Sequence, residues 1–396
     1  MRFRSLLLII LTSLIISVNA QNEKKNDDDS CVYHFTIDKL IKSTPVKNQA
    51  KTGTCWSFAT ISFIESEMLR NGLEETDLSE MYIVRQTYPE KAEKYIRMMG
   101  MYNFGEGGQA HDVFAQIKKY GLVPEEVYTG KNISEAQHNH GELVNILTSM
   151  LKAVNEKKGG KVTPRWKELF ESALDIYLGK SPERFTCKGE EYTPQTFMQK
   201  KVKIIPDDYI EFTSYTHHPF YDKFSLEIPD NWTNQEYYNV PVEDIIAIMD
   251  NSLKEGYSVL WDGDVSERFF SQKKGYAVVP LKDWDERTTE EKDAELKEPE
   301  QEKIVTQEMR QAAFNNFSST DDHLMHVTGL AHDQNNTKYY YTKNSWGTDY
   351  KDKGFIYISE QYARLHTVAL MVNKNAVPQE ILKKCKIENP ELVNKD

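Results

Sequence analysis

The order of apolar and polar positions divides the chain into an apolar start, a helical first half and a strand-rich second half. Leu6 to Ile16 is apolar apart from Thr12 and Ser13, follows Arg2 and Arg4, and leads to the small residues Val18 and Ala20. That order predicts a secretory signal peptide over residues 1–20, cut after Ala20, and so a periplasmic or secreted protein. The apolar run is short for crossing about 30 Å of hydrocarbon as an anchor. The polar stretch that follows reads as a flexible leader over 21–31, with ordered structure from Val32.

From Trp56 to Leu69 apolar residues occupy nearly every face, which predicts a buried helix ended by Asn71-Gly72. Residues 73–130 read as short helices, then the run Gly105-Glu106-Gly107-Gly108, then a helix over 110–120 stopped by Gly121. Leu143, Leu147, Met150 and Val154 recur at helical spacing, as do Trp166, Phe170, Ala173 and Tyr177. They predict amphipathic helices over 142–155 and 164–178. Residues 180–240, rich in Tyr, Pro and Asp, show no clear period. A helix follows over 242–255, then a strand over 257–261. The charge-dense stretch 282–303 reads as a solvated loop and helix face. Short strands over 323–330, 338–343 and 355–358 close the pattern. The fold class is α+β, a helical half feeding a β-rich half.

Composition narrows the function. An apolar share of 39% with 28% charged residues is a globular balance and excludes disorder throughout. The net charge of -12, with no long Lys/Arg cluster, argues against a nucleic-acid partner. No later apolar run approaches about 18 residues, so no membrane span is expected in the mature form. The cysteines Cys31, Cys55, Cys187 and Cys385 are too few for a disulfide scaffold. With Cys55 as nucleophile, the other three allow at most one disulfide, of unassigned pairing.

The chemistry sits in three distant segments. Cys55 lies where a loop becomes a helix, over unpaired backbone N–H groups, a location expected to lower its pKa. Gly53 lets a backbone approach closely, and Gln49 can aim an amide N–H at an oxyanion. His323, at a strand start, can take the thiol proton and return it to a leaving amine. Asn344 can accept the second imidazole N–H, with Trp346 shielding that bond. The order Cys, His, Asn is that of the Cys–His–Asn catalytic triad. His326 falls on the opposite strand face and reads as structural or surface. Neither His138-Asn139-His140 nor His217-His218 has a ligand at supporting spacing, so no metal is expected, and no organic cofactor either. Asp262 and Asp264 read as turn residues, with a possible role for one of them in attracting a cationic amine. The sequons at Asn132, Asn231, Asn316 and Asn335 matter only in a glycosylating host.

The segments PVKNQAKTGTCWSFATISFIESEMLRNG, GEGGQAHDVFAQIKKYGLVPEEVY, HLMHVTGL and KNSWGTDYKDKGFIYIS resemble the papain-like cysteine peptidases, in the bleomycin hydrolase and aminopeptidase C branch. The resemblance implies a helical subdomain carrying Cys55 and a β-barrel-like subdomain carrying His323 and Asn344, with helical insertions. It makes Gln49 the oxyanion donor and places Gly107 and Gly108 in the non-primed substrate cleft. Trp56 and Trp346 are supporting residues. His323 lies 268 residues after Cys55, beyond the roughly 130–150 of papain-type enzymes. That excess implies one domain over 32–396, with a mostly helical insertion at about 131–235 and a tail over 379–396. The substrates implied are peptides, and the assembly a homo-oligomer, a hexamer. In the branch a C-terminal arm lies in the cleft and its carboxylate holds the substrate amine, which makes an aminopeptidase. The charged tail here departs from that pattern. An endopeptidase with an open cleft, and a silent peptide-binding scaffold, therefore stand as alternatives.

Overall fold

The computed structural model describes residues 32–388 apart from 134, 135, 158, 160 and 295. The expected signal peptide and leader, Cys31 and the tail residues 389–396 lie outside the described residues.

Helix α1 (Cys55–Arg70) is buried from Cys55 to Met68, which is why its sequence lacks a polar face. It packs on α2 (Glu80–Arg97) and α3 (Ala110–Tyr120). The helices α4 (Gly141–Asn155) and α5 (Arg165–Leu178) cover α2 from outside, through Leu143, Leu147, Leu151, Phe170, Leu174 and Leu178. Where sequence reading suggested only short helices, α2 runs for 18 residues through Pro89. An interior proline costs about 3 kcal/mol. Met81, Ile83, Val84 and Tyr88 on the same helix are fully buried, each worth roughly 1.5–3 kcal/mol, so burial wins.

The second half is built on β1 (Phe35–Leu40), β4 (Tyr209–Thr213), β5 (Lys223–Ser225), β6 (Glu236–Asn239), β7 (Val259–Gly263), β8 (Phe270–Ser271), β9 (Tyr276–Ala277), β10 (His323–Asp333), β11 (Lys338–Lys343), β12 (Phe355–Ser359) and β13 (Thr367–Asn373). These form one eleven-stranded mixed sheet in the order β5-β6-β4-β13-β7-β10-β11-β12-β9-β8, with β1 also on β10. The hairpin β2 (Phe185–Cys187) and β3 (Glu190–Tyr192) stands apart. The region 131–235, expected to be mostly helical, is helical over α4 and α5 and again over 194–202, but also contributes β4 and β5 to the large sheet. Its strands run three to five residues, too short to show an alternation in sequence. Helices α6 (Pro194–Phe197), α7 (Val242–Lys254), α8 (Thr289–Asp293), α9 (Gln307–Asn315), α10 (Glu360–His366) and α11 (Gln379–Lys384) complete the described chain. In the tail, Ile381, Leu382 and Cys385 are buried in the cluster built by α7 and the sheet. Cys187 and Cys385 are both free.

A buried polar network joins the two halves behind Cys55. The Lys47 ammonium meets Glu80 at 2.7 Å, Glu65 at 3.8 Å and Asp77. Burial opposes that charge, but Glu80, Glu65 and Asp77 hold it above its ordinary pKa. Glu65 on α1 accepts from Thr44 Oγ1 at 2.5 Å and from the Leu78 amide at 2.8 Å. Lys343, next to Asn344, donates to Ser62 on α1 at 2.7 Å and to Thr44 at 3.1 Å. Ser62 Oγ in turn shares a hydrogen bond with His326 Nδ1 on β10, 2.9 Å away. His326 is thus structural and wholly buried. Removing one member of such a network leaves the others charged and unpaired. Glu65→Ala is expected to lower unfolding stability by about 3–5 kcal/mol, read as a shift in the urea midpoint.

Candidate active site

Cys55 is the first residue of α1, and the Thr54 carbonyl accepts the first intrahelical bonds, from Ser57 and Phe58. The helix end favours a thiolate there. Its surroundings do the opposite, and they correct the expected drop in pKa. The side chain is buried, and burial pushes the thiol up to about 12, with Asp262, Asp321 and Asp230 adding to the rise. Only a hydrogen bond with the backbone of Leu324 pulls the other way. Leu324 follows His323, so that contact seats the sulphur at the start of β10.

His323 Nε2 lies 2.7 Å from Asn344 Oδ1. Asn344 Nδ2 donates to Gln272 Oε1 at 2.8 Å, so its oxygen faces the imidazole and the Ser345 amide. An amide oxygen only accepts, so Nε2 carries the proton and Nδ1 is the basic nitrogen. Burial pulls His323 down to about 4, against the Asn344 bond. Burial thus disfavours the charged form of both groups. Trp346 lies over the ring with centroids 4.8 Å apart, and Phe270 backs the indole.

Gln49 is held from both ends. Ser345 Oγ donates to its Oε1 at 2.6 Å, and its Nε2 donates to the Thr52 carbonyl at 2.7 Å. A second Nε2 hydrogen is left for another acceptor. Glu106 braces this loop: its carboxylate accepts the Gly53 amide at 2.6 Å and its carbonyl accepts Trp56 Nε1 at 2.9 Å. Gly108 lies flat on the Trp56 indole, where a Cβ would come within 3.1 Å of the ring. At Gly107 a Cβ would overlap the Asp230 carboxylate.

Four site residues had no signal in the sequence: Gln272, Ser345, Glu106 and Asp230. Each acts across a long chain separation, so no local spacing reveals it. His138 and His140 are buried, and burial pulls both down to about 4. Their segment hydrogen-bonds Lys51 through the His138 carbonyl and the His140 amide, below the Gln49–Gly53 loop. His217 and His218 do meet a carboxylate, Glu227, at 3.1 and 2.8 Å, contrary to the spacing argument. Asp264 caps a turn by accepting the Ser266 and Thr320 amides. Asn231 is buried and hydrogen-bonded to Leu226 and Gln235, so its sequon is closed in the folded chain.

Comparison with known proteins agrees with this geometry. Aminopeptidase G of Lactobacillus delbrueckii subsp. lactis is 22% identical over 384 residues, covering 87% of this chain and 84% of that protein. Bleomycin hydrolase of Homo sapiens is 23% identical over 429 residues, covering 92% and 90%. A crystal structure of PepW from Lactobacillus rhamnosis superposes with a TM-score of 0.69 at 19% identity, over 89% of this chain and 84% of that one. That likeness shows the papain-like fold. The Peptidase C1-like family matches residues 10–396, and the chain belongs to that family of cysteine peptidases.

Proposed function

We propose that this enzyme is an aminopeptidase, releasing the first residue of a peptide through a Cys55 acyl-enzyme. One observation carries the exopeptidase reading: the loop 226–235 lies against Gly107. Asp230 rests on that glycine, and Trp232 Nε1 is anchored to Asp112 Oδ2 at 2.8 Å. Asn231 ties the loop to itself at Leu226 and Gln235. An extended substrate that laid its second non-primed residue on Gly107 would collide with this loop, so one residue fits before the scissile bond. Two of the similar proteins carry aminopeptidase and hydrolase names, which agrees.

The geometry supports the following steps. Cys55 Sγ attacks the carbonyl as His323 Nδ1 takes its proton. Gln49 Nε2 and the free amides at the start of α1 face the developing oxyanion. The imidazolium then protonates the departing amine. Water, deprotonated by the same nitrogen, opens the thioester. Asn344 and Gln272 keep the ring in the tautomer this sequence requires.

An aminoacyl reporter with a free amino terminus is expected to be cleaved, and its N-acetyl form resisted. Cys55→Ala is expected to reduce both to background. Rapid cleavage of the blocked form means an endopeptidase. Equal signals from wild type and Cys55→Ala mean a silent scaffold.

The raised thiol sets a second expectation. At neutral pH the thiolate is a small fraction of Cys55, so iodoacetamide labelling of the substrate-free enzyme is slow. It is expected to rise about tenfold per pH unit between pH 7 and 9. A flat rate from pH 6 upward would mean a preformed thiolate–imidazolium pair.

Export belongs to the same proposal, on the charged, apolar and small-residue order of the first twenty positions. The mature protein is expected to begin at Gln21, read by mass spectrometry of the exported fraction. An intact Met1 form confined to the cytosol would refute it.

A further inference from the structure

The connection between β4 and β5 and the start of the loop 226–235 bring two imidazoles onto one carboxylate. His217 Nε2 lies 3.1 Å from Glu227 Oε2, and His218 Nε2 lies 2.8 Å from Glu227 Oε1. One donor atom from each residue falls within 4.8 Å of the other two. A tetrahedral zinc site keeps its ligand atoms roughly 3.3 Å apart, from metal–ligand bonds of about 2.0–2.2 Å. Small side-chain rotations therefore close this group around an ion. Glu227 stands nine residues beyond His218, on the far side of β5, and meets the pair only in the folded chain.

The group is held in place from outside. Gln311 on α9 sets its Oε1 3.5 Å and its Nε2 3.1 Å from His217 Nδ1. The amide can thus accept from Nδ1 when a metal occupies Nε2, and donate to Nδ1 when Nε2 carries the proton. Phe314, three residues further along α9, stacks on the His217 ring with centroids 5.7 Å apart and planes at 12°. Phe224 on β5 stacks on the His218 ring at 4.1 Å and 20°. Buried Asn239 on β6 fixes the histidine turn, donating to the Tyr215 and His218 carbonyls at 2.8 and 2.9 Å. Asn231 fixes the glutamate side, donating to the Leu226 carbonyl at 3.0 Å. Burial opposes the charge of Glu227, but hydrogen bonds from His218 and His217 hold its carboxyl below the ordinary carboxylate range. All three side chains stay partly open to solvent, which gives an ion a way in.

We infer that His217, His218 and Glu227 bind a divalent transition-metal ion of the Zn²⁺ type, with the remaining coordination position left to water. Two imidazole nitrogens with one carboxylate oxygen suit such an ion, whereas Mg²⁺ and Ca²⁺ prefer sites made of oxygen alone. Binding displaces the protons through which the rings now donate to the carboxylate. Chain spacing argued against a metal here; the folded positions of Glu227 and Gln311 supply what spacing lacked. The site is structural. Glu227 stands at the root of the loop whose Asp230 rests on Gly107, and the histidines stand on the β4–β5 connection against α9. An ion ties the two together and fixes that loop at its base.

The test is calorimetric titration of zinc chloride into the untagged full chain carrying Cys55→Ala, a substitution that removes the competing thiol of the cleft. A single saturable site is expected, with no binding of magnesium or calcium chloride. His217→Ala, His218→Ala and Glu227→Gln, each added to that chain, are expected to weaken zinc binding by about 100-fold or more. Gln311→Leu is expected to weaken it by about tenfold, the effect of losing an orienting partner. Zinc is also expected to raise the thermal midpoint of the parent chain and to leave those of the three ligand variants unmoved. No zinc binding by the parent chain, or binding of unchanged strength in the ligand variants, overturns the site. Should a variant fail to fold, diethyl pyrocarbonate modification of the parent chain decides. Zinc is expected to protect His217 and His218, read by peptide mass spectrometry, and equal modification with and without zinc overturns the site.

Discussion

The packing of one helix, buried from Cys55 to Met68, against one strand holds the two halves of this enzyme in register. Helix α1 inserts Trp56, Ile61, Phe63 and Ile64 fully into the interior, each worth roughly 1.5–3 kcal/mol. Its first residue is thereby pinned beside the start of β10, where Leu324 reaches the thiol and His323 stands next to it. Ser62, Glu65 and Lys343 then lock helix, strand and Asn344 into one register. Apolar burial brings the halves together, and this directional network limits how they slide. A shift of one turn along α1 would misplace Lys343 on Ser62 and the thiol on Leu324 at once.

The electrostatics of the cleft follow from the same burial. A helix N-terminus contributes a modest stabilisation to a thiolate, at most about 2 kcal/mol in partly buried sites. Here it meets desolvation and three carboxyl groups, and the larger effects win. The imidazole is neutral for the same reason, since removal from water disfavours its cation. Burial thus works against a permanent ion pair between these two groups. The loop 226–235 lies against Gly107 through Asp230, whose carboxyl group burial also holds above its ordinary pKa.

Much of the helical half was legible in the sequence. The helix over 110–120 and the strand over 338–343 appear at the bounds their periodicities suggest, and 142–155, 164–178 and 242–255 hold within a residue. Long amphipathic stretches report their own burial, because one face must be apolar wherever it packs. The stretch 180–240 was illegible for the converse reason. Its strands of three to five residues cannot display a period, and β4, through which β5 and β6 join the large sheet, pairs with β13 more than a hundred residues later. The length of α2 was not legible either: it runs through Pro89, because local propensity is weak beside the burial of a whole helix.

By itself the sequence marked Cys55 at a helix start, His323 at a strand start and Asn344 before Trp346 as the candidates for nucleophile, base and orienting amide, since that chemistry needs particular residue types in particular contexts. It also determined where apolar faces lie, and so the α+β division. Only the tertiary structure decided the burial of the thiol, the seating of Ile381 and Leu382 in the core and the approach of Asp230 to Gly107. Those depend on which side chains share a volume of a few ångströms, and residues 230, 262 and 321 share theirs only after the chain has folded. Local patterns specify elements; the field at one sulphur atom is summed over groups that no local pattern connects.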